Sequence, residues 1–375
     1  MAQTVITSTE AAKLYSGKLF VDLKRDSFFV NDLTFGSVRM PSRKTSLANS
    51  NGNAPIYIIT DLKAENGDEV SFPLFKHIEG EPVYGDSWLE GSEKSLSQLN
   101  WKIRITQLRQ GIDTGGKLTK KRTPADIRAV ARTELRNCWA DILDESFFVF
   151  LTGERGISTL GWRLPTTFAG WKDETGAIVC PVEPVDTAHK VAINSTGQVV
   201  NDPAQATEME LSDIDKIKTY IRTQIRPIPP VKVNGQPLYI LVIHPRVEEQ
   251  LRTANSTNSW IDIQKMANVR GMDNPIFKSA LGMYAGVVLV SHEKVPVVEI
   301  NGQEYAVNIW LGSQALGVAF GNSGTGFPFN WKEKKFDYDN RLGIATSILI
   351  GARRIQFDWG DGLENYGSLN FYTKI

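Results

Sequence analysis

Residues 124–152 constrain this chain more than any other stretch, because they predict one unusually long amphipathic helix. Thr123 stands as the N-cap, Pro124 takes the first helical position, and Asp126 completes a box-like cap. Ile127, Ala131, Leu135, Cys138 and Ile142 form an apolar stripe, joined by Leu143, Phe147 and Phe150, and Gly153 ends the run. At ~1.5 Å per residue the rod is roughly 40 Å long. That is more than twice the usual globular helix of ~11–12 residues. Such a rod acts as a structural spine, and the rest of the chain has to be arranged along it.

One face of this rod is basic. Arg128, Arg132 and Arg136 fall at i, i+4 and i+8, where like charges cost ~0.2–0.5 kcal/mol per pair in an isolated helix. Lys117, Lys120, Lys121 and Arg122 extend the basic block on its N-terminal side. The ridge invites an acidic partner. An equally weighted account is a solvated face paired with Glu134 and Asp141, worth only ~0–1 kcal/mol per exposed pair.

The segments before the helix lack a core of their own. Residues 1–53 mix a short amphipathic stretch (Ala11, Leu14, Tyr15, Leu19, Phe20) with a polar run rich in Ser, Asn and Arg. The cluster Phe28, Phe29, Val30, Leu33 and Phe35 is too apolar for a solvated tail and predicts an arm that docks. Within 54–115, Ile56–Ile59 reads as a short strand. Trp101, Ile103 and Ile105 alternate with Lys102, Arg104 and Thr106 at period two. Between them lies an acidic, Gly-rich excursion with Glu79, Glu81, Asp86, Trp88, Glu90 and Glu93. The pattern predicts a projecting hairpin that lies on a neighbour, and its acids are the expected partners of the basic ridge.

After the helix the pattern is α+β. Residues 160–205 are irregular and carry Trp162, Phe168 and Trp171. A second helix carries Ile214, Ile217, Ile221 and Ile225, with Ser212 and Asp215 at its start and Pro227 at its stop. An Asn234-Gly235 turn, a buried strand Leu238–Ile243, short helices Arg246–Thr253 and Trp260–Ala267, and a strand Val287–Val290 follow. Asn301-Gly302 between Ile300 and Tyr305 is a two-residue hairpin signal. Residues 344–375 return to strand.

Chemistry is sparse. His77, His189, His244 and His292 are the only histidines, and none has metal-ligand spacing to another histidine or a cysteine. Gly321–Gly326 lacks the Gly-Lys-Ser/Thr ending of a phosphate loop, and Asp337/Asp339 reads as a turn. No catalytic, cofactor-binding or metal residue is nominated. Lys+Arg 42 against Asp+Glu 42 leaves no net charge, which argues against global nucleic-acid affinity. Two cysteines make no framework, and the apolar runs are far shorter than the ~20 residues that span a bilayer. With a polar start, Met1 to Glu10, the expectation is a soluble intracellular product.

The ordered series Val242-Ile243-His244-Pro245, Asn274-Pro275-Ile276-Phe277, Leu281-Gly282-Met283-Tyr284, Ile309 to Ala315, Asp337-Tyr338-Asp339-Asn340 and the apolar run Ile344 to Phe357 carries a family likeness. From about Leu118 to the end the chain resembles the major capsid proteins of tailed double-stranded DNA phages, in the N-four-like branch of the Hong Kong 97-like fold. The resemblance implies five parts. They are an N-terminal arm (1–53), an extended loop over an adjacent subunit (54–115), a peripheral domain with the spine helix (116–159), an axial domain (160–343), and C-terminal strands returning to the peripheral domain (344–375). It further implies pentamers and hexamers in an icosahedral shell, a separate scaffolding protein, a portal protein, non-specific contact with packaged double-stranded DNA, and assembly in the host bacterial cytoplasm. A decoration protein and covalent cross-links stay open. Two rivals remain: an encapsulin-like compartment of the same fold, and an α/β enzyme using His244.

Overall fold

The long helix forms over Ile127–Thr152, 26 residues, in a computed structural model of the chain. The described residues are 19, 27–29, 53–59, 67–76, 81–86, 88–90, 93–122, 126–157, 161–233, 236–253, 280–321, 328–360 and 362–375. Thr123 and Pro124, expected to start the helix, lie outside them, and the cap is Asp126 itself. Its side chain accepts from the amides of Arg128 (3.0 Å) and Ala129 (3.4 Å). At the other end Gly153 adopts φ 71°, a left-handed conformation that a β-carbon disfavours, and its amide donates back to the Val149 carbonyl.

The two halves of this helix bury differently. In the first half Ala131, Leu135 and Trp139 face inward, while Cys138 and Ile142, expected in the stripe, are only half-buried. From Leu143 to Thr152 every residue is buried. A helix covered on all sides lies in a protein interior, and its polar members here, Asp144, Glu145, Ser146 and Thr152, are all hydrogen-bonded. Here that interior lies between two sheets.

The first sheet has five strands. The long strand Arg341–Arg354 pairs antiparallel with Thr106–Asp113 along one edge, and with Phe329–Phe336 and then Leu316–Phe320 along the other. Ile56–Ile59 adds parallel to Leu316–Phe320. Phe329, Trp331, Ile344, Ile348 and Ile350 pack with Leu135, Trp139 and Leu143 of the helix in one core.

The second sheet has nine strands, with the main order Ala280–Tyr284, Val287–Ser291, Gln236–Ile243, Gln303–Leu311, Ser368–Lys374, Lys190–Ile193, Val199–Val200. Gln236–Ile243 reads as a continuous apolar run because both of its faces are covered. Tyr239, Leu241 and Ile243 pack with Ile214, Ile217, Ile221, Val247 and Leu251, which come from the helices Leu211–Thr223 and Pro245–Thr253. Ile240 and Val242, on the opposite face, join the core of the long helix. The helix Leu211–Thr223 starts one residue earlier than Ser212, and the Asp213 carboxylate accepts from the Glu210 amide at 2.9 Å. The Asn301-Gly302 turn forms as expected, with φ 54° and 78° and Ile300 opposite Gln303. Asp337, Tyr338 and Asp339 form the expected turn, all three at positive φ.

The sheets divide the chain elsewhere than at residues 343 and 344. Leu316–Phe320 and Phe329–Phe336 belong to the five-stranded sheet, whereas Ser368–Lys374 lies inside the nine-stranded one. The turn Asn234-Gly235, the helix Trp260–Ala267 and the segment Asn274–Phe277 lie outside the described residues, as do residues 322–326 of the phosphate-loop lookalike.

Candidate functional site

The expected projection is a hairpin, but its first strand is Glu69–Phe75 and not Ile56–Ile59. It pairs with Gln98–Arg104 in a register that sets Phe72 opposite Trp101. Glu69–Phe75 carries the period-two alternation of a half-buried strand through Val70, Phe72 and Leu74, and Pro73 is what weakens its signal. The stem is anchored. Trp101 is buried with Ile103, Ile59, Ala319, Ile355 and Phe357, and its indole N–H donates to the Arg354 carbonyl at 3.0 Å.

Every described residue from 81 to 98 is exposed, including the acids Glu81, Asp86, Glu90 and Glu93. Trp88 is 81 % exposed, Tyr84 68 %, and Phe75, Leu89 and Leu96 more than half. Glu79 lies outside the described residues. Clustered uncovered aromatics of this kind mark an interaction surface.

The arm's aromatics sit differently. Phe29 is fully buried by its own chain, edge-on to Phe147 (5.7 Å) and Phe148 (4.6 Å), and Phe28 stacks on Phe148 at 6.3 Å. The Asp144 carboxylate holds this point of the arm, accepting from Ser27 Oγ (2.7 Å), Phe28 N (3.0 Å) and Phe29 N (3.4 Å). Val30, Leu33 and Phe35 lie outside the described residues.

The basic ridge is partly engaged. Arg128 donates through Nε to Glu333 at 2.8 Å, and Arg136 reaches Asn137 Oδ1 at 3.3 Å. Arg132, between them, is half-buried. Asp141, expected to pair with the ridge, instead takes Arg163 Nε at 2.6 Å. Beneath it, Glu145 is completely buried and accepts from Lys294 Nζ (2.8 Å) and from the amides of Arg163 (2.8 Å) and Leu164 (2.9 Å).

His244 and His292 serve the fold. His244 Nδ1 accepts from the Arg246 amide at 3.2 Å, at the start of the helix Pro245–Thr253. His292 lies 4.9 Å from the Phe28 ring and 4.8 Å from Phe148, and its Nδ1 accepts from the Lys294 amide. Burial pushes both imidazoles down to about 4. Burial pushes the Asp144 carboxyl up to about 6, against the opposing pull of its three donors. Among the described residues no cluster of three or more His, Cys, Asp or Glu is placed to hold a metal ion.

These shifts set opposite pH dependences. Between pH 6.5 and 4 the unfolded chain takes up a proton that native His292 refuses, so acid removes stability there, by roughly 1.4 kcal/mol per pH unit. In the window between about 6 and 3.8, native Asp144 holds a proton that the unfolded chain has released, so acid adds stability. Urea unfolding of subunits at pH 6.5 and 4.5 is expected to show a shallower acid loss for His292→Gln than for wild type. Asp144→Asn is expected to show a steeper one. Identical slopes for all three proteins would refute the assignment.

A two-sheet α+β subunit with a long bridging helix and an uncovered hairpin is the architecture of a shell-forming protein. The profile of the phage capsid protein family matches residues 3–371, and the chain belongs to that family. It is a major capsid protein of a phage, a structural component of the virion head shell. It is 26% identical over 349 residues to the major capsid protein of Pseudomonas phage KPP25, covering 86% of this chain and 88% of that one. The capsid of Ralstonia phage GP4 superposes with a TM-score of 0.73 at 28% identity, covering 92% of each chain. The capsid protein of cyanophage Pam1 shares the Hong Kong 97-like fold, with a TM-score of 0.59 at 16% identity over 86% of this chain and 89% of that one.

Proposed function

We propose that copies of this chain tile, as pentamers and hexamers, an icosahedral shell around packaged double-stranded DNA. The role is structural and not catalytic. In this reading the five-stranded sheet with the long helix is the peripheral domain, and the nine-stranded sheet with its two helices is the axial domain. Assembly takes place in the host bacterial cytoplasm with a separate scaffolding protein and a portal, and the shell touches DNA without sequence preference. Residues 1–53 act as the arm, held at Phe28 and Phe29 in the core of the long helix.

The observation that supports this most is the hairpin tip. Trp88, Tyr84, Leu89 and Leu96 are uncovered in the single chain, so a neighbouring copy supplies the surface they need. Stable association usually takes at least ~1,000 Å² per interface, but in a shell several weaker contacts act together.

Replacing residues 81–97 by a short Gly-Ser linker tests the reading. Melting of the subunit is expected to stay within about 1 °C of wild type, since surface changes cost no more than ~0.5 kcal/mol. Electron microscopy is expected to find no closed particles. Normal shells from this variant would overturn the proposal. Particles that contain host proteins and no nuclease-protected DNA would instead favour an encapsulin-like compartment.

A further inference from the structure

The hairpin stem is fastened to its own chain at two levels. At its base Trp101 is buried and donates to the Arg354 carbonyl, and Arg353 Nη1 donates to the Lys102 carbonyl at 2.7 Å. At its outer end Lys76 closes the paired stem, its amide donating to the Ser97 carbonyl at 3.0 Å. Between these levels Val70, Phe72 and Leu74 lay one face of the stem on a core that holds Ile355 and Phe357, and Trp359 packs half-buried against the same core.

Trp359 follows the first strand of a small hairpin, Gln356–Asp358 paired with Leu363–Asn365, which leaves the end of the long strand. The turn passes through Gly360 at φ 115°, a conformation that a side chain would strain, and the Gly360 amide donates to Asp358 Oδ1 at 2.9 Å. Two cations from distant parts of the chain lie over the indole. Lys76 Nζ is 5.5 Å from a ring centroid and donates to the Trp359 carbonyl at 3.0 Å. Arg226 Cζ is 4.2 Å from the ring, and Arg226 Nε donates to Glu364, on the facing strand of the small hairpin, at 2.7 Å. Arg226 comes three residues after the helix Leu211–Thr223, just ahead of Pro227, Pro229 and Pro230, so its backbone has little freedom. The indole therefore ties the outer end of the stem to the helix layer of the nine-stranded sheet. Tryptophan is the side chain whose face holds cations best.

We propose that Trp359 is a positioning residue for assembly, which fixes the direction in which the hairpin leaves the subunit and so the angle at which copies join. The inference rests on the shell reading above and adds the residue that aims the projection. A stem fastened only at its base can tilt about Trp101. Its first strand has 7 residues, roughly 20 Å at ~3.4 Å each, so a tilt of about 10° moves the outer end by ~3–4 Å. Donor–acceptor distances in hydrogen bonds span only ~0.5 Å, so a shift of that size breaks whatever contact the projection makes. A closed shell of uniform size repeats a narrow set of joining angles, and a stem free to tilt supplies a broad one. The two cations also share the work with apolar contact. A half-buried ring held in this way is screened by salt less than an exposed ion pair.

Spin labels test the direction of the stem. One is placed at its exposed outer end by Ser97→Cys and the other on the helix Pro245–Thr253 by Glu249→Cys, in a Cys138→Ser background because Cys180 is buried. Trp359→Leu keeps apolar bulk without an aromatic face, and it is expected to widen the label-to-label distance distribution about twofold. Trp359→Phe keeps a face for the cations and is expected to stay near the wild-type width. Lys76→Met with Arg226→Met leaves the ring and its core in place and is expected to widen the distribution as Trp359→Leu does, so the test survives if the leucine variant does not fold. By electron microscopy the unlabelled Trp359→Leu chain is expected to give particles of mixed diameter, and the Trp359→Phe chain particles of wild-type diameter. An unchanged distance distribution in the Lys76→Met/Arg226→Met protein would overturn the proposal. So would equal widening by leucine and phenylalanine, which reduces Trp359 to core packing, and so would shells of wild-type diameter and yield from a variant whose distribution has widened. Absence of shells from the unlabelled wild-type chain would instead count against the shell reading itself, and it would leave the distance measurement standing.

Discussion

Trp139→Ala is expected to destabilise the subunit by ~3–5 kcal/mol, the range for truncating a large buried aromatic. Trp139 is 1 % exposed and seals the junction between the long helix and the five-stranded sheet. Its indole N–H donates to Thr346 Oγ1 at 2.7 Å, and its ring meets Phe329 edge-on at 5.6 Å. Substitution by alanine leaves a void between two stiff elements that cannot close over it, and it strips the Thr346 hydroxyl of its donor. Trp139→Phe keeps most of the apolar contact and loses the hydrogen bond, so a cost nearer ~1–2 kcal/mol is expected. Urea unfolding of both variants separates the two terms. A loss below about 1 kcal/mol for the alanine variant would mean that the junction is plastic.

Glu145→Leu is expected to cost a similar ~3–5 kcal/mol, for an electrostatic reason. The carboxylate is 0 % exposed and joins three parts of the chain: the long helix, the loop at Arg163 and Leu164, and Lys294 after the strand Val287–Ser291. Removing it leaves the largely buried Lys294 ammonium and two amides without their acceptor. The second substitution Lys294→Met should therefore recover part of the loss. A double-mutant cycle at this pair is expected to give a coupling of ~1–3 kcal/mol. Purely additive losses would show that Lys294 finds other partners, among them the Gly161 carbonyl that already lies 2.6 Å from its Nζ.

Both residues were invisible as anchors in the sequence, and the reason is geometric. Trp139 falls one position beyond Cys138, which fits the stripe equally well, and only the sheet decides which of the two points inward. Asp144 and Glu145 sit in a run of apolar residues where charge looks misplaced. Their roles depend on Ser27, Phe28 and Phe29 more than a hundred residues earlier, and on Lys294 nearly a hundred and fifty later. The arginine ridge shows the converse. Its spacing was legible, but its engagement by Glu333 comes from a strand some two hundred residues away whose charged sequence, Phe329–Phe336, carries little strand signal.

What the sequence alone determined was local: the long helix and its glycine stop, the buried apolar strand before His244, the Asn301-Gly302 turn, and the uncovered acidic excursion. Each follows from residues within a few positions of one another, through periodicity, capping or turn stereochemistry. Tertiary structure alone decided which strands share a sheet, so that Ser368–Lys374 enters the nine-stranded sheet while Leu316–Phe320 and Phe329–Phe336 leave it. It also decided which cations meet an acid from a distant part of the chain, as Arg128 meets Glu333 and Lys294 meets Glu145. Strand partnership and ion pairing join residues far apart in the chain, and their free energy depends on distances that no local pattern encodes.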